Sequence, residues 1–135
     1  MLAPLFDAYR VFYKQRSDPV EALEFLKSRI ANNDSLIFLV ATGGIGAGFV
    51  QLYFTFSSVS MEKSLILNDL FVAEPFRKKG VGEALLRHAQ GYCRDNQYKG
   101  LALETGTDNP AQKLYERLGW VRDSHCFHYF WKAGK

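Results

Sequence analysis

The apolar positions at the start of the chain recur every three or four residues. Leu2, Leu5, Phe6, Tyr9, Phe12 and Tyr13 would share one helical face. Ser17-Asp18-Pro19 reads as a stop followed by a new helix start, with proline in its favoured first-turn position. The second helix carries Ala22, Leu23, Phe25, Leu26 and Ile30 and ends near Asn32-Asn33-Asp34. From there the period shortens. Leu36 to Ala41 is a short apolar strand, Thr42-Gly43-Gly44 a turn, and Gly46 to Phe56 a second strand rich in aromatics. After a polar loop from Ser57 to Lys63, Ser64 to Val72 forms a third strand, and the three together predict an antiparallel meander.

Past Pro75 the chain turns basic and glycine-containing: Arg77-Lys78-Lys79-Gly80-Val81-Gly82. A helix follows from Glu83 to about Asn96, with Leu85, Leu86, Ala89, Tyr92 and Cys93 on one face. Gly100 to Thr105 predicts a strand. Asn109-Pro110 opens a helix over Ala111 to Leu118 that stops at Gly119, and Trp120 to Trp131 reads as one or two closing strands broken around Asp123-Ser124. The order α-α-β-β-β-α-β-α-β is that of a mixed α/β protein.

Composition narrows the class. A length of 135 residues predicts one domain, residues 1–135. A hydrophobic content of 47% with 15% aromatics excludes a disordered chain. Two cysteines cannot build a disulfide framework, and neither lies in a zinc-type pair, so no metal is expected. No apolar run reaches the ~18 residues of a membrane span, and Met1-Leu2-Ala3-Pro4 does not open a secretory signal. The expectation is a cytoplasmic protein without a membrane partner. A net charge of +3, from 17 basic and 14 acidic residues, suits a small anionic ligand better than a nucleic acid, which needs a denser basic stripe.

The basic loop is where such an anion would sit. Arg77-x-x-Gly80-x-Gly82 lies between a strand and a helix. The first turn of a helix leaves about four N–H groups without intrahelical partners, and the macrodipole makes that end positive. Glycines let the backbone curl closely around an anion, Arg77 adds a charged fork, and Lys78 and Lys79 raise the potential. A pyrophosphate fits this arrangement, although a basic loop of this kind taken alone is more often a solvated connection. No Walker sequence occurs.

Three segments taken together carry a resemblance. Asn68-Asp69-Leu70-Phe71-Val72 is followed by Phe76-Arg77-Lys78-Lys79-Gly80-Val81-Gly82, and downstream comes Asp108-Asn109-Pro110-Ala111-Gln112-Lys113-Leu114-Tyr115-Glu116-Arg117-Leu118-Gly119-Trp120. This order resembles the GNAT superfamily of N-acetyltransferases over about Leu36 to Trp131, and within it most resembles the diamine and the histone-and-polyamine acetyltransferases. The resemblance implies a mixed, largely antiparallel twisted sheet flanked by helices, with the family's opening β-strand missing here because helical periodicity begins at Leu2. It implies acetyl-CoA as co-substrate, a small-molecule or protein amine as acceptor, and a homodimer.

Roles follow from the resemblance position by position. Leu70, Phe71 and Val72 would lie on the strand that pairs with the pantetheine arm. Arg77, Lys78, Lys79, Gly80, Val81 and Gly82, with Glu83 opening the helix, would cradle the pyrophosphate. Asn109 would touch the cofactor from the next loop, and Tyr115 would stand near the sulfur as general acid. Two positions depart from the pattern: Asp108 occupies the place where an asparagine often precedes the tyrosine, and Asn68-Asp69 replaces the Glu-Asp pair of the diamine enzymes.

The reaction so implied moves an acetyl group from a thioester to an amine. A lysine-like ammonium, with a pKa near 10.4, must lose a proton before it can attack. The developing oxyanion needs hydrogen-bond donors, each typically worth about 2.7–4 kcal/mol. The departing thiolate gains from a proton that a phenol such as Tyr115 can supply. Asp69 is the best-placed carboxylate for the incoming cation or its proton, although a solvated or capping aspartate fits its position equally well. A catalytically silent acyl-CoA-binding module on the same fold is the alternative to an enzyme.

Overall fold

The computed structural model describes residues 1–134. They fall into two compact units, Met1–Glu104 and Thr105–Lys135, of which Lys135 lies outside the described residues.

The first unit opens with α1 (Leu2–Phe12) and α2 (Pro19–Ala31). The junction is held by two aspartates. Asp18 caps α2 by accepting the Glu21 N–H at 3.1 Å. Asp7 reaches across the gap from α1, accepting the Asp18 N–H at 2.8 Å and the Ser17 hydroxyl at 2.6 Å. These bonds, the Ser17 hydroxyl first, hold the Asp7 carboxyl below its ordinary pKa.

The sheet follows: β1 (Ser35–Thr42), β2 (Ile45–Ser57), β3 (Glu62–Val72) and β4 (Leu101–Ala102), in the order β1-β2-β3-β4. The first three form the expected antiparallel meander. β3 begins two residues earlier than its pattern suggests, because Glu62 and Lys63 pair with Ser57 and Phe56. β4 runs parallel to β3 and is much shorter than the predicted Gly100–Thr105: only Leu65↔Leu101 and Ile66↔Ala102 pair. A one-turn 3-10 helix, Glu74–Phe76, leads from β3 toward α3 (Val81–Asp95).

Helices cover both faces of the sheet. Leu5 and Phe6 of α1 and Ala22 and Leu26 of α2 bury against Phe49 and Phe71 on one face. Each leucine or phenylalanine among these contributes roughly 1.5–3 kcal/mol when fully buried. On the other face α3 turns in Leu85, Leu86, Ala89 and Cys93. Gly48 allows that approach: a Cβ there would lie 2.9 Å from the Phe71 carbonyl oxygen and 3.0 Å from Val81 Cγ1.

β3 changes face part-way along. Leu67 lies opposite Leu52 and Asp69 opposite Gln51, so Asn68 is an extra residue, a β-bulge. Leu65, Leu67, Asp69 and Phe71 are all buried and look like one uninterrupted alternating stripe. They are two half-stripes. Leu67 shares the α3 face with Leu52, whereas Asp69 and Phe71 share the α1 face with Gln51 and Phe49.

The second unit contains α4 (Gln112–Arg117). The closing strands expected from Trp120 to Trp131 do not form: no strand is present there, and residues 121–134 are exposed throughout. Aromatic and β-branched content gives a segment strand propensity, but a strand exists only where a ladder partner takes its backbone groups. Among the described residues none pairs with this one.

Candidate active site

Pairing between β3 and β4 stops at Ile66, yet β3 runs on to Val72. Among the described residues no strand covers that edge of β3 beyond Ile66, leaving ~20 Å of strand with one open side.

Three hydrogen bonds fix which backbone groups face it. Leu65 N–H donates to Gly100 O at 3.1 Å, so before the bulge the odd-numbered residues face β4. Ala73 N–H donates to Ala47 O at 2.8 Å, so after the bulge residues 69, 71 and 73 bond to β2. Leu70 and Val72 therefore present their N–H and C=O to the open edge. The Val72 carbonyl confirms this phase by accepting from Arg77 Nε at 2.9 Å. Phe71 is the exception among the three strand residues expected to line the cofactor: its backbone is spent on β2, and its side chain lies under α1, against the Tyr9 and Phe12 rings.

The open edge leads into the basic loop. Lys78, at φ 63°, and Gly80, at φ 82°, both adopt the left-handed conformation, and the chain curls through them into α3. Gly80 is the N-cap of α3 and supplies no side-chain cap, while Ala84 N–H takes up its carbonyl at 3.0 Å. The first-turn amides at Val81, Gly82 and Glu83 thus sit where a helix offers donors to an anion. Arg77, Lys78, Lys79 and Gly80 are exposed. The Arg77 guanidinium also lies 5.5 Å from the centre of the Phe12 ring and 5.6 Å from that of Phe71, which ties α1 to the end of β3.

Asp69 is in a different situation from the one its sequence context suggests. It is 3% exposed and accepts hydrogen bonds from Tyr9 Oη at 2.8 Å, from Asn68 Nδ2 at 2.8 Å and from Gln51 Nε2. Ser35 Oγ in turn donates to Gln51 Oε1 at 2.8 Å. Burial, and then the neighbouring Asp69 charge, push the Tyr9 phenol far above its ordinary pKa, and the same two causes raise Tyr53. The sequence pattern did not single out Tyr9, Gln51 or Ser35 as polar partners. The available signal was a glutamine at position 51 inside the apolar run Gly48 to Phe54.

The second unit holds the other two expected residues. Asn109 fastens its own loop: its Nδ2 donates to Thr105 Oγ1 at 2.9 Å and its Oδ1 accepts the Ala111 N–H at 2.9 Å, opening the turn into α4. Gln112 Nε2 reaches back to the carbonyls of Gly106, Thr107 and Asn109 at 3.3, 2.7 and 3.1 Å. Tyr115 is buried on α4, its ring centre 5.8 Å from that of Trp120. His88 is an exposed helix residue set edge-on to Phe38 at 4.5 Å.

An open strand edge running into an uncapped, glycine-containing helix start is what an extended chain ending in a pyrophosphate would need. Comparison with known proteins decides the family. Residues 2–120 match the model of the acetyltransferase (GNAT) family. The chain belongs to that family. It is 47% identical over 129 residues to "Uncharacterized N-acetyltransferase YhfO" of Bacillus subtilis, covering 95% of this chain and 87% of that one. It is 33% identical over 129 residues to "Probable acetyltransferase" of Haemophilus influenzae, covering 86% of this chain and 88% of that one. A crystal structure described as that of "a probable acetyltransferase" superposes with a TM-score of 0.92 at 37% identity, covering 99% of this chain and 91% of the other. A GNAT acetyltransferase is an acyltransferase that uses acetyl-CoA, so the α/β architecture and the enzyme class read from the sequence both hold. No helix among the described residues is long and apolar enough to cross a membrane.

Proposed function

We propose that this GNAT acetyltransferase binds acetyl-CoA along the open edge of β3 and transfers the acetyl group directly to a primary amine, with both substrates bound together. The observation that carries the reading is that edge. The free backbone groups of Leu70 and the N–H of Val72 face outward, and the strand leads through the Glu74–Phe76 turn and the basic loop to the start of α3. The pantetheine arm carries amides of its own, so it can continue the ladder as an added strand would. The pyrophosphate then falls to the first-turn amides at Val81, Gly82 and Glu83, with Lys78 and Lys79 supplying positive charge. Arg77 acts mainly by closing the end of β3 through the Val72 carbonyl.

The thioester supplies the acetyl group. The chain contributes the rest. Leu70 N–H is a preorganised donor for the thioester oxygen, which gains charge as the amine attacks. Tyr115 supplies a proton to the departing sulfur. Asn109 and Gln112 hold the loop before α4 in shape. The amine loses its proton to water or to an exposed carboxylate, because Asp69 is enclosed by its own three donors. The match of a single family model to residues 2–120 supports one acetyltransferase domain. A homodimer is supported by Phe127, Tyr129, Phe130 and Trp131, each at least 80% exposed, a cluster that a second copy would cover.

Calorimetry with acetyl-CoA and a thiol-release assay over a panel of polyamines, small amino compounds and lysine peptides test this reading. We expect acetyl-CoA binding and amine-dependent CoA release. Tight binding with no release across the panel would instead establish a silent acyl-CoA-binding module.

A further inference from the structure

Asp69 accepts hydrogen bonds from three side chains, and among the described residues none of the ion pairs involves it. A buried carboxylate is costly unless donors replace its water, and here α1, β2 and β3 each send one. A leucine would be the ordinary choice at such a place in a core. The position explains the exception. Asp69 follows the bulged residue Asn68 directly and lies opposite Gln51, where the register of β3 changes.

The alternative register shows what is at stake. If β3 continued without the bulge, the Leu52↔Leu67 pairing would place residue 69 opposite Val50. Its side chain would then enter the α3 face, among Leu85 and Leu86, and Phe71 would leave the α1 face. The peptide groups facing the open edge would belong to residues 69 and 71 instead of 70 and 72. Tyr9 and Gln51 lie on the α1 face, so Asp69 finds these two donors only in the bulged register. Ser35 fixes Gln51 from the far side by donating to its Oε1.

We infer that Tyr9 and Gln51, acting through Asp69, are positioning residues that lock β3 in its bulged register and so aim the Leu70 and Val72 amides at the open edge; the role of that edge rests on the function proposed above. Asp69 is then the anchor of the lock, not the base that deprotonates the acceptor.

Tyr9→Phe tests the lock with little risk to folding, because the ring keeps its packing on Phe6, Phe49 and Phe71 while one hydroxyl is lost. We expect kcat to fall on the order of tenfold, as for removal of a hydrogen bond to a charged group, with acetyl-CoA affinity changed by less than about twofold. In the same variant, amide exchange at Phe71 and Ala73, whose N–H groups bond to β2, should quicken on the order of tenfold while the amides of β1 keep their protection. Asp69→Asn should lower kcat but leave the acid limb of the kcat/KM pH profile in place. Loss of that limb would make Asp69 the base and overturn the proposal. So would wild-type kcat and unchanged exchange in Tyr9→Phe, including the case in which only the melting temperature drops. Should the wild-type protein release no CoA, the functional reading fails, and the exchange measurement still decides whether the register lock exists.

Discussion

At the scale of single residues, chemistry and packing place separate demands on neighbouring positions. Tyr115 is buried beside Trp120 and carries the proposed proton for the leaving thiolate. Tyr115→Phe keeps the ring and removes the proton. Turnover should fall by about 10²-fold or more, the usual range for a general acid, while calorimetry shows little change in acetyl-CoA affinity; an unchanged rate would refute the role. Gly48 tests packing alone. Gly48→Ala pushes a methyl group against the Phe71 carbonyl and Val81, and should destabilise the fold by roughly 1–3 kcal/mol in urea unfolding. Tyr115 was singled out in the sequence only through the family resemblance of the Asp108–Trp120 segment around it, since the helix pattern alone reads it as a packing residue. The burial of Asp69 was not legible, since its partners Tyr9 and Gln51 lie 60 and 18 residues away along the chain.

At the scale of elements, β3 and α3 act as a unit whose junction is the basic loop. Gly82 lies in the first turn of α3. Gly82→Asp would add a side chain and a negative charge where the proposed pyrophosphate sits, and acetyl-CoA affinity should fall by more than about tenfold, since a like charge at a helix N-terminus opposes an anionic ligand. Intact binding in calorimetry would count against the loop as the phosphate site. The two opening helices, the meander and α3 were readable because their apolar period is set locally. The closing strands were misread for the converse reason. Trp120 to Trp131 carries strand-forming residues, but strand formation needs a partner, and a local pattern does not report one. The short β4 has the same origin: Leu101 and Ala102 pair with Leu65 and Ile66, and the ladder ends there.

At the scale of the whole molecule, buried ionisable groups set how stability responds to pH. Tyr9 and Tyr53 both have phenols raised above the ordinary value near 10. A raised folded-state value means that the unfolded chain loses these protons first. Stability is therefore full below pH 10 and declines as the pH climbs above it. Alkaline unfolding monitored by tyrosinate absorbance should show a cooperative loss of structure above pH 10 that Tyr9→Phe shifts to higher pH. Asp7 works in the opposite sense: its depressed carboxyl favours the folded state at neutral pH, and that contribution is lost as the pH falls through the acid range. By itself the sequence determined the α/β class, the order of the helices and the meander, the Arg77-x-x-Gly80-x-Gly82 loop before α3 and the family resemblance, because each rests on spacing between near neighbours. Only the tertiary structure decided which residues face the open edge, that Asn68 is a bulge, and that Asp69 is buried among three hydrogen-bond donors. Those outcomes depend on register between strands and on a hydroxyl delivered from α1. A one-residue slip of β3 leaves every local propensity unchanged while exchanging the two faces of the sheet.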